Sequence, residues 1–510
     1  MKFKITFVFL SFVILASCQN KKQNINNTNS IIEKLAIIEN TNDSELLAQL
    51  LHHDAIVYIP DAPIIYGREV IIDLFKYSWS QDNSSFNSYK VDSIKENNKG
   101  LIEKGIYFYK DNKGIKKSMS LKITCIKKEN SVLLKEINYN NSKKEIQNLP
   151  KPTGEYQVGQ STHYYEVSES RKRPIAFQIW YPLENDSNDK IAYQSKNVAR
   201  SISNFLGWPS FNNSFTVLMK SNSIENAQVI SNQKFPVVIY NHGYGGFSSV
   251  YQTVFEDLAS NGYMVVSLGH KDESAMLIKE DGSVIENSSK NRFYIKRQPE
   301  LNGREIGFEQ AVILNSNNSD EVTKAYKKLV QLSPLHTESV NLWTLDTKNV
   351  IRELRKINKN HKQLRGSFDF DEMGIFGHSV GGATAGELAS ETLFKAGINI
   401  DGFQFGNLIY SNLKIPFMFI SSNQEGDRYL RVSPFAINNS HDLYHTIISE
   451  FTHNSFSDLC LFTPNGEKDI QLQRELILSF FNKYLKNENV KLTNLGNKYS
   501  NTKIINLYSN

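Results

Sequence analysis

The five residues Gly377-His378-Ser379-Val380-Gly381 decide how this chain is interpreted. They follow the pattern Gly-x-Ser-x-Gly, which is typical of a serine exposed on a tight turn between a strand and a helix. Glycines leave room for such a turn because they have no side chain beside the serine. The apolar residues 373–376 predict the strand, and the small residues 381–385 predict the start of the helix. Ser379 is therefore a candidate nucleophile.

A serine hydroxyl needs a base within hydrogen-bond reach and a group that orients that base. If the chain order is serine, acid, histidine, the candidate bases well beyond Ser379 are His441, His445 and His453. His453 lies in a polar break at residues 451–458, ahead of the last predicted helix, and we predict it as the base. His441 and His445 are expected in a helix or loop over the surface.

The acid is expected at the end of the strand that follows the helix after Ser379. Asp401 closes the run at residues 396–400 and is followed by Gly402, as at a tight exit from a strand. It would accept the imidazole N–H and stabilise the imidazolium. Asp427 and Asp442 are the alternatives.

Donors for an oxyanion are expected from the backbone after the nucleophile and from an earlier loop between a strand and a helix. The first is the N–H of Val380. The second lies in Asn241-His242-Gly243-Tyr244-Gly245-Gly246, and we choose the N–H of Tyr244. His242 is expected to support this loop, and His270 to pack behind it. No metal or cofactor is expected.

Strands and helices alternate along residues 153–487, which predicts an α/β domain with a doubly wound, mainly parallel sheet. The Asn- and Ser-rich segments near 185–232 and 276–335 are expected to be insertions over the edge of that sheet. Residues 488–510 are polar and are expected to form a loose tail.

Four segments share a combined pattern with a known family, namely residues 235–275, 377–384, 397–401 and 453–462. Together they resemble the plasma-type platelet-activating-factor acetylhydrolase family, within the dienelactone-hydrolase-like α/β-hydrolases. The resemblance implies the α/β-hydrolase fold and metal-free cleavage of short or oxidised acyl esters, notably at the second glycerol position of phospholipids. It also implies that Ser379 is the nucleophile, Asp401 the acid and His453 the base, and that Tyr244 and Val380 form the oxyanion hole.

A second domain is predicted before the connector at residues 149–154, which contains two prolines and a glycine. Helices followed by strands along residues 31–148 predict a smaller α+β cone. Residues 50–58 and 66–71 resemble the SnoaL-like branch of the nuclear-transport-factor-2-like superfamily, whose members include enzymes, ligand binders and dimerisation modules. His52 and His53 are expected on the surface or at the end of a helix and are not assigned as metal ligands.

The first residues predict export and lipid attachment. Lys2 and Lys4 precede an apolar run at residues 5–15, which is too short to span a bilayer. Leu15-Ala16-Ser17-Cys18 resembles the lipobox of bacterial lipoproteins. This predicts a signal peptide at 1–17, a lipid on Cys18, a polar tether at 18–30, and a protein anchored to a membrane of the bacterial cell envelope, facing the periplasm or the cell surface.

Composition bounds the remaining possibilities. The chain has 510 residues, 40% hydrophobic and 22% charged, with a formal charge of +5, which is too small to indicate nucleic-acid binding. Cys125 and Cys460 are expected to be small core residues.

Two functions from different classes stay open at this point. The first is a serine carboxyl-ester hydrolase that acts through an acyl-enzyme on a small-molecule or lipid ester. The alternative is a lipid-anchored ligand-binding protein that uses the N-terminal cone, with the hydrolase fold as a scaffold. A homodimer through the cone is compatible with either.

Overall fold

The computed structural model describes residues 30–80, 88–110, 116–128, 131–142, 146–169, 172–183, 189–287, 297, 299–423, 428–437 and 439–508. The predicted signal peptide, Cys18 and most of the tether lie outside these residues. The chain divides into two compact units. Unit 1 comprises Met1–Asn148 and Ala192–Lys220, and unit 2 comprises Leu149–Ile191 and Ser221–Asn510.

This division corrects the predicted domain boundaries. We expected residues 185–232 to be an insertion into the second domain, but Ala192–Lys220 belongs to unit 1. The physical reason is the packing of Phe211, which is 3% exposed and joins the apolar core of unit 1. Its ring lies 5.6 Å from that of Tyr77, centroid to centroid. Lys196 Nζ also lies 3.0 Å from Asp54 Oδ1.

Unit 1 is an α+β structure with one mixed sheet of six strands. The strands are β1 (Leu51–Tyr58), β2 (Ile65–Tyr66), β3 (Ser88–Asn97), β4 (Gly100–Lys110), β5 (Lys116–Lys128) and β6 (Ser131–Tyr139), and the helices are α1 (Ile31–Thr41), α2 (Ser44–Leu50), α3 (Arg68–Ser80) and α4 (Lys196–Leu206). The strand order in the sheet is β2-β1-β6-β5-β4-β3. Strand β1 runs parallel to β6, and the other neighbours are antiparallel.

The expected position of His52 and His53 at a helix end is wrong. Both lie in β1, which begins at Leu51 immediately after α2. The strand starts this early because Leu51 already pairs with Leu134 of β6. This pairing joins residues far apart in the chain, so no local pattern signals it.

A buried carboxylate fixes the start of α1. Glu103 of β4 is fully buried and accepts hydrogen bonds from the N–H groups of Ile31 (2.7 Å) and Ile32 (2.9 Å) and from Ser30 Oγ (2.8 Å). The first N–H groups of a helix have no partner within the helix, and a negative charge there is favoured by the helix dipole. Glu103 therefore holds α1 against the sheet.

Unit 2 is built on a sheet of 11 strands. The strands of the unit are β7 (Gln157–Tyr165), β8 (Ile175–Leu183), β9 (Lys190–Ala192), β10 (Lys220–Glu225), β11 (Phe235–Asn241), β12 (Met264–Gly269), β13 (Met276–Ile278), β14 (Val284–Glu286), β15 (Phe368–His378), β16 (Ala396–Ile400), β17 (Phe417–Asn423), β18 (Leu443–Ser449) and β19 (Thr502–Tyr508), of which β13 and β14 form a separate hairpin. The strand order in the large sheet is β19-β18-β17-β16-β15-β11-β12-β8-β7-β10-β9. The neighbours from β18 to β12 are parallel, and β8 is antiparallel to both β12 and β7. The helices are α5 (Gln252–Ser260), α6 (Arg304–Asn315), α7 (Ser319–Leu332), α8 (Pro334–Asn360), α9 (Val380–Ala389), α10 (Gly466–Leu485) and α11 (Thr493–Lys498).

Both faces of this sheet are covered, as the apolar strands predict. Along β11, Val237 and Ile239 pack into one core, whereas Val238 and Tyr240 pack into the other. Helices α6 to α9 contribute to the first core, and α5 and α10 to the second. The predicted doubly wound α/β architecture is therefore present in unit 2.

Two expectations about unit 2 are corrected. The polar tail at 488–510 contains α11 and β19, and β19 pairs antiparallel with β18. Without β19, β18 would be an edge strand, whose unpaired backbone groups favour a partner. Residues 502–508 supply that partner. Part of 276–335 also belongs to the core rather than lying over the sheet edge, because Ile313 and Tyr326 are buried.

Cys125 and Cys460 are both free and buried, as expected.

We expect Glu103→Gln to destabilise unit 1 by about 2–3 kcal/mol, because the amide group would face N–H donors that need acceptors. The matched control is Glu96→Gln on β3, whose carboxylate forms an exposed pair with Lys127. That change should cost less than about 1 kcal/mol. Urea titration of the full chain, followed by hydrogen exchange in peptides from α1 and β4, measures both. Equal effects would contradict the capping role.

Candidate active site

Ser379 lies on a sharp turn between β15 and α9. Its backbone has φ 57° and ψ −121°, a conformation that non-glycine residues rarely adopt. Its N–H donates to the carbonyl of Ile400 at 2.8 Å. A Cβ on Gly377 would lie 2.2 Å from the oxygen of Gly381, and one on Gly381 would lie 2.0 Å from the oxygen of Asn241. Both flanking positions of the motif therefore require glycine.

Asp401 and His453 form a hydrogen-bonded pair. Asp401 follows β16 directly, and its Oδ2 lies 2.8 Å from Nδ1 of His453. The Asp401 side chain is 7% exposed, whereas that of His453 is 49% exposed. Because a carboxylate only accepts, Nδ1 carries the proton, which leaves Nε2 of a neutral imidazole as the acceptor. This is the arrangement that a general base requires.

Asp401 is also held by Ser422 at the carboxyl end of β17. The Ser422 N–H donates at 2.7 Å and its hydroxyl at 2.9 Å. Burial alone would raise the pKa of Asp401, but it is outweighed by the hydrogen bond from His453, by the positive charge of that ring when it is protonated, and by the Ser422 N–H, so the pKa lies below its ordinary value. The carboxylate is therefore charged at neutral pH.

The backbone beside Ser379 also touches the loop that carries the acid. A Cβ on Gly402 would lie 2.1 Å from the carbonyl oxygen of Ser379. Among the described residues, the Ser379 hydroxyl and the His453 imidazole share no direct hydrogen bond. In catalytic sites without substrate, such bonds are often long and tighten when substrate binds.

The competing acids are engaged elsewhere or not described. Asp442 accepts hydrogen bonds from Lys483 Nζ (3.3 Å) and from the Tyr484 hydroxyl (2.6 Å), which are both on α10. Asp427 lies outside the described residues. Asp401 is thus the candidate acid that contacts His453.

The competing histidines also have other partners. His441 exchanges backbone hydrogen bonds with the Asn439 side chain. His445 lies inside the buried strand β18, with Nε2 3.0 Å from Ser421 Oγ. Our expectation of a surface helix or loop is therefore wrong for His445. That residue pairs with Phe419 in the sheet and is 4% exposed.

Tyr244 lies in a tight turn after β11. The Gly246 N–H donates to the Gly243 carbonyl at 2.8 Å, and Gly245 has φ 72°. A positive φ at the third residue is the pattern of a type II turn, in which that position favours glycine. The turn is pinned by the Gly245 N–H, which donates to the carbonyl of Glu273 at 2.9 Å.

The turn passes directly beside the serine. A Cβ on Gly243 would lie 3.3 Å from Cβ of Ser379. Val380 is the first residue of α9, and the first N–H groups of a helix have no acceptor within it. The two predicted oxyanion donors, Tyr244 and Val380, therefore belong to segments that flank Ser379.

His242 supports the turn, as expected. Its Nδ1 donates to the Gly243 carbonyl at 2.6 Å, and its Nε2 lies 2.7 Å from Ser274 Oγ. Burial, with His270 nearby, lowers the pKa of His242 to about 3, so the ring is neutral. His270 is fully buried behind the turn and stacks on Trp343 at 3.9 Å between ring centroids, which confirms the expectation for that residue too.

Sequence reasoning missed Ser422 and left His378 without a role. Ser422 contacts Asp401 across neighbouring strands, 21 residues along the chain, and nothing in the local sequence signals this contact. The Nε2 atom of His378 lies 2.9 Å from the carbonyl oxygen of His453. The position of His378 inside the serine motif was a signal that could have identified it.

In unit 1, His52, His53 and Asp54 each present a ligand-type atom within 4.8 Å of the others. The Asp54 carboxylate already accepts from Lys196 Nζ at 3.0 Å and from the Tyr66 hydroxyl at 2.8 Å. A cation bound by this trio would compete with the Lys196 ammonium group for the Asp54 carboxylate.

Within the described part of the chain, no helix is both long enough and apolar enough to span a bilayer.

The doubly wound sheet, the serine turn at the end of its central strand and the Asp401–His453 pair define an α/β-hydrolase. The chain belongs to the family described as "Platelet-activating factor acetylhydrolase, isoform II", which matches residues 141–482. By family and by site, it is an ester hydrolase.

Individual proteins are similar to this chain in sequence or in fold. Platelet-activating factor acetylhydrolase of Bos taurus is 26% identical over 363 residues, which cover 66% of this chain and 77% of the relative. The enzyme of the same name from Canis lupus familiaris is 27% identical over 289 residues, which cover 54% of this chain and 60% of the relative. A ferulic acid esterase from Streptomyces cinnamoneus shares the fold, with a TM-score of 0.50, 18% identity, and coverage of 68% of this chain and 96% of the esterase.

We expect Gly402→Ala to destabilise unit 2 by about 1–3 kcal/mol, because its Cβ would collide with the backbone of Ser379. The matched control is Gly307→Ala in α6, where a Cβ would meet nothing within 4 Å. Alanine there should stabilise the helix by about 0.5–1 kcal/mol. Thermal unfolding compares the two variants. A Gly402→Ala protein as stable as the wild type would refute the close contact.

Proposed function

We propose that this protein is a serine carboxyl-ester hydrolase that acts through an acyl-enzyme. Ser379 is the nucleophile, His453 the general base, Asp401 the acid, and the N–H groups of Tyr244 and Val380 form the oxyanion hole. The observation that carries the proposal is the hydrogen-bonded Asp401–His453 pair beside a serine held at φ 57°.

In the acylation step, Ser379 Oγ attacks the ester carbonyl and its proton passes to Nε2 of His453. The bond from carbonyl carbon to the alcohol oxygen then breaks, and the imidazolium returns the proton to the departing alkoxide. In deacylation, a water molecule attacks the acyl-enzyme, gives its proton to His453, and releases the carboxylic acid. The bond from the acyl carbon to Ser379 Oγ breaks in this step, and the imidazolium returns the proton to Oγ, which regenerates the serine hydroxyl.

The surrounding charges favour these steps. The Asp401 carboxylate stays charged because its pKa lies below the ordinary value, so it stabilises the imidazolium that forms on His453. The N-terminus of α9 points its dipole at the site, where negative charge develops on the carbonyl oxygen. Burial also lowers the pKa of His378 to about 3, so this neighbouring ring adds no competing positive charge.

The substrate class is proposed from the family. Relatives bear the name platelet-activating factor acetylhydrolase, which supports esters with short acyl groups, including phospholipid-like esters, as substrates. The alternative of a ligand-binding protein with an inert hydrolase scaffold is not favoured, because family membership and the assembled Asp–His pair both support catalysis.

We also propose that Cys18 carries a lipid and anchors the protein to a membrane of a bacterial cell envelope, facing the periplasm or the surface. The support is the lipobox-like sequence at residues 15–18. A homodimer through unit 1 likewise stays a prediction.

We expect Ser379→Ala to lower kcat for short-chain nitrophenyl esters by about 10⁶-fold, because the nucleophile is lost. Ser390→Ala is the matched control. Ser390 caps the far end of α9 by donating to the Glu387 carbonyl, and its removal should change kcat less than about twofold. A fluorophosphonate probe should label the wild type and the control but not Ser379→Ala. Undiminished turnover by Ser379→Ala would contradict the proposed mechanism.

The same assay tests the substrate class. Acetyl and butyryl esters should be cleaved faster than palmitoyl esters, and a glycerophosphocholine with a 2-acetyl group faster than one with two long acyl chains. A preference for long chains would refute the short-acyl proposal and leave the serine mechanism intact.

The lipid anchor is tested by Cys18→Ala in a bacterial host. The wild type should partition into the detergent phase of a Triton X-114 extract, because its acyl chains insert into detergent micelles. The Cys18→Ala variant lacks these chains and should partition into the aqueous phase. Aqueous partition of both proteins would contradict the anchor.

A further inference from the structure

His378 connects the base to the serine turn. Its Nε2 lies 2.9 Å from the carbonyl oxygen of His453, and the two rings are 4.4 Å apart between centroids at an angle of 39°. A carbonyl oxygen only accepts, so Nε2 of His378 carries the proton. Burial, and then the proximity of His453, lower the pKa of His378, so the ring is neutral and holds one tautomer.

The opposite edge of the same ring faces the oxyanion loop. A Cβ on Gly243 would lie 2.7 Å from Nδ1 of His378. The imidazole therefore fills the space between Gly243 and His453. It is also bonded through the chain to Ser379, so one residue contacts all three parts of the site.

His453 needs such a support. Its side chain is 49% exposed, and it lies in a single short turn, His453–Ser455. Among the described residues, its imidazole forms one hydrogen bond, to Asp401. Rotation about that bond would swing Nε2 away from Ser379, and a misplacement of about 1 Å can lower a rate by about 100-fold.

We propose that His378 is a positioning residue, which fixes the backbone and ring of His453 by donating a hydrogen bond to its carbonyl and packing between it and Gly243. This inference rests on the proposed ester hydrolysis, because its effect is expressed through the base.

The test compares two substitutions in the full chain. His378→Met keeps an apolar side chain of similar length but has no donor, whereas His378→Gln keeps an N–H at a similar distance from Cα. We expect the Met variant to lose about 10- to 100-fold in kcat, with KM within about threefold of the wild type. The Gln variant should recover kcat to within about threefold. The rate of fluorophosphonate labelling of Ser379 should fall and recover in parallel.

A second histidine controls for the general effect of replacing an imidazole with methionine. His445→Met removes a buried imidazole from β18 that bonds to Ser421, and its kcat should stay within about twofold of the wild type. Thermal unfolding is measured for each variant. If His378→Met does not fold, His378→Asn replaces it, because the shorter amide does not reach the carbonyl of His453.

Two outcomes overturn the inference. One is an unchanged kcat in His378→Met, and the other is an equal loss in His378→Gln and His378→Met, which would mean that the donated hydrogen bond has no role. Failure of the proposed function is distinct from both, since the wild type itself would then neither hydrolyse esters nor react with the fluorophosphonate.

Discussion

The close packing of backbone against backbone around Ser379 is the constraint on which the rest of the site depends. The serine has a positive φ, its N–H is bonded to Ile400, and Gly381 lies against the carbonyl of Asn241. No side chain fits at these contacts. They fix the ends of three neighbouring parallel strands, β11, β15 and β16, at a common edge. The loop that contains Tyr244, the serine turn and Asp401 each begin where one of these strands ends, so their relative positions are set by the sheet.

The surroundings of each ionisable group around this edge determine whether that group is charged. Asp401 keeps its charge although it is buried, because His453 and Ser422 both stabilise the carboxylate. Burial lowers the pKa of His242 and of His378, so both rings are neutral and each donates one hydrogen bond from one fixed nitrogen. His453 is the histidine of this group that is half open to solvent. In the proposed mechanism, the neutral histidines support the site and His453 transfers protons, although all three residues carry the same imidazole group.

Local sequence patterns were enough to predict the serine turn, the strand that ends at Asp401, and the loop that contains Tyr244. Each of these is encoded by residues close together in the chain, where glycines and apolar runs have a direct structural meaning. Pairings between distant segments were missed, such as β19 with β18 and Ser422 with Asp401. These contacts depend on which strands become neighbours, which periodicity does not specify. The Ala192–Lys220 segment was assigned to the wrong domain for the same reason.

The discontinuity of unit 1 has a consequence for how the protein is made. Its core includes Phe211, so it cannot be completed until the ribosome has released the chain beyond Ala192–Lys220. By then β7 and β8 have emerged, although the central strands of their sheet have not yet left the ribosome. Domains usually fold one after another as they emerge. Here the first unit waits for a segment encoded inside the second, so we expect nascent chains that stop at Asn148 to lack a complete core.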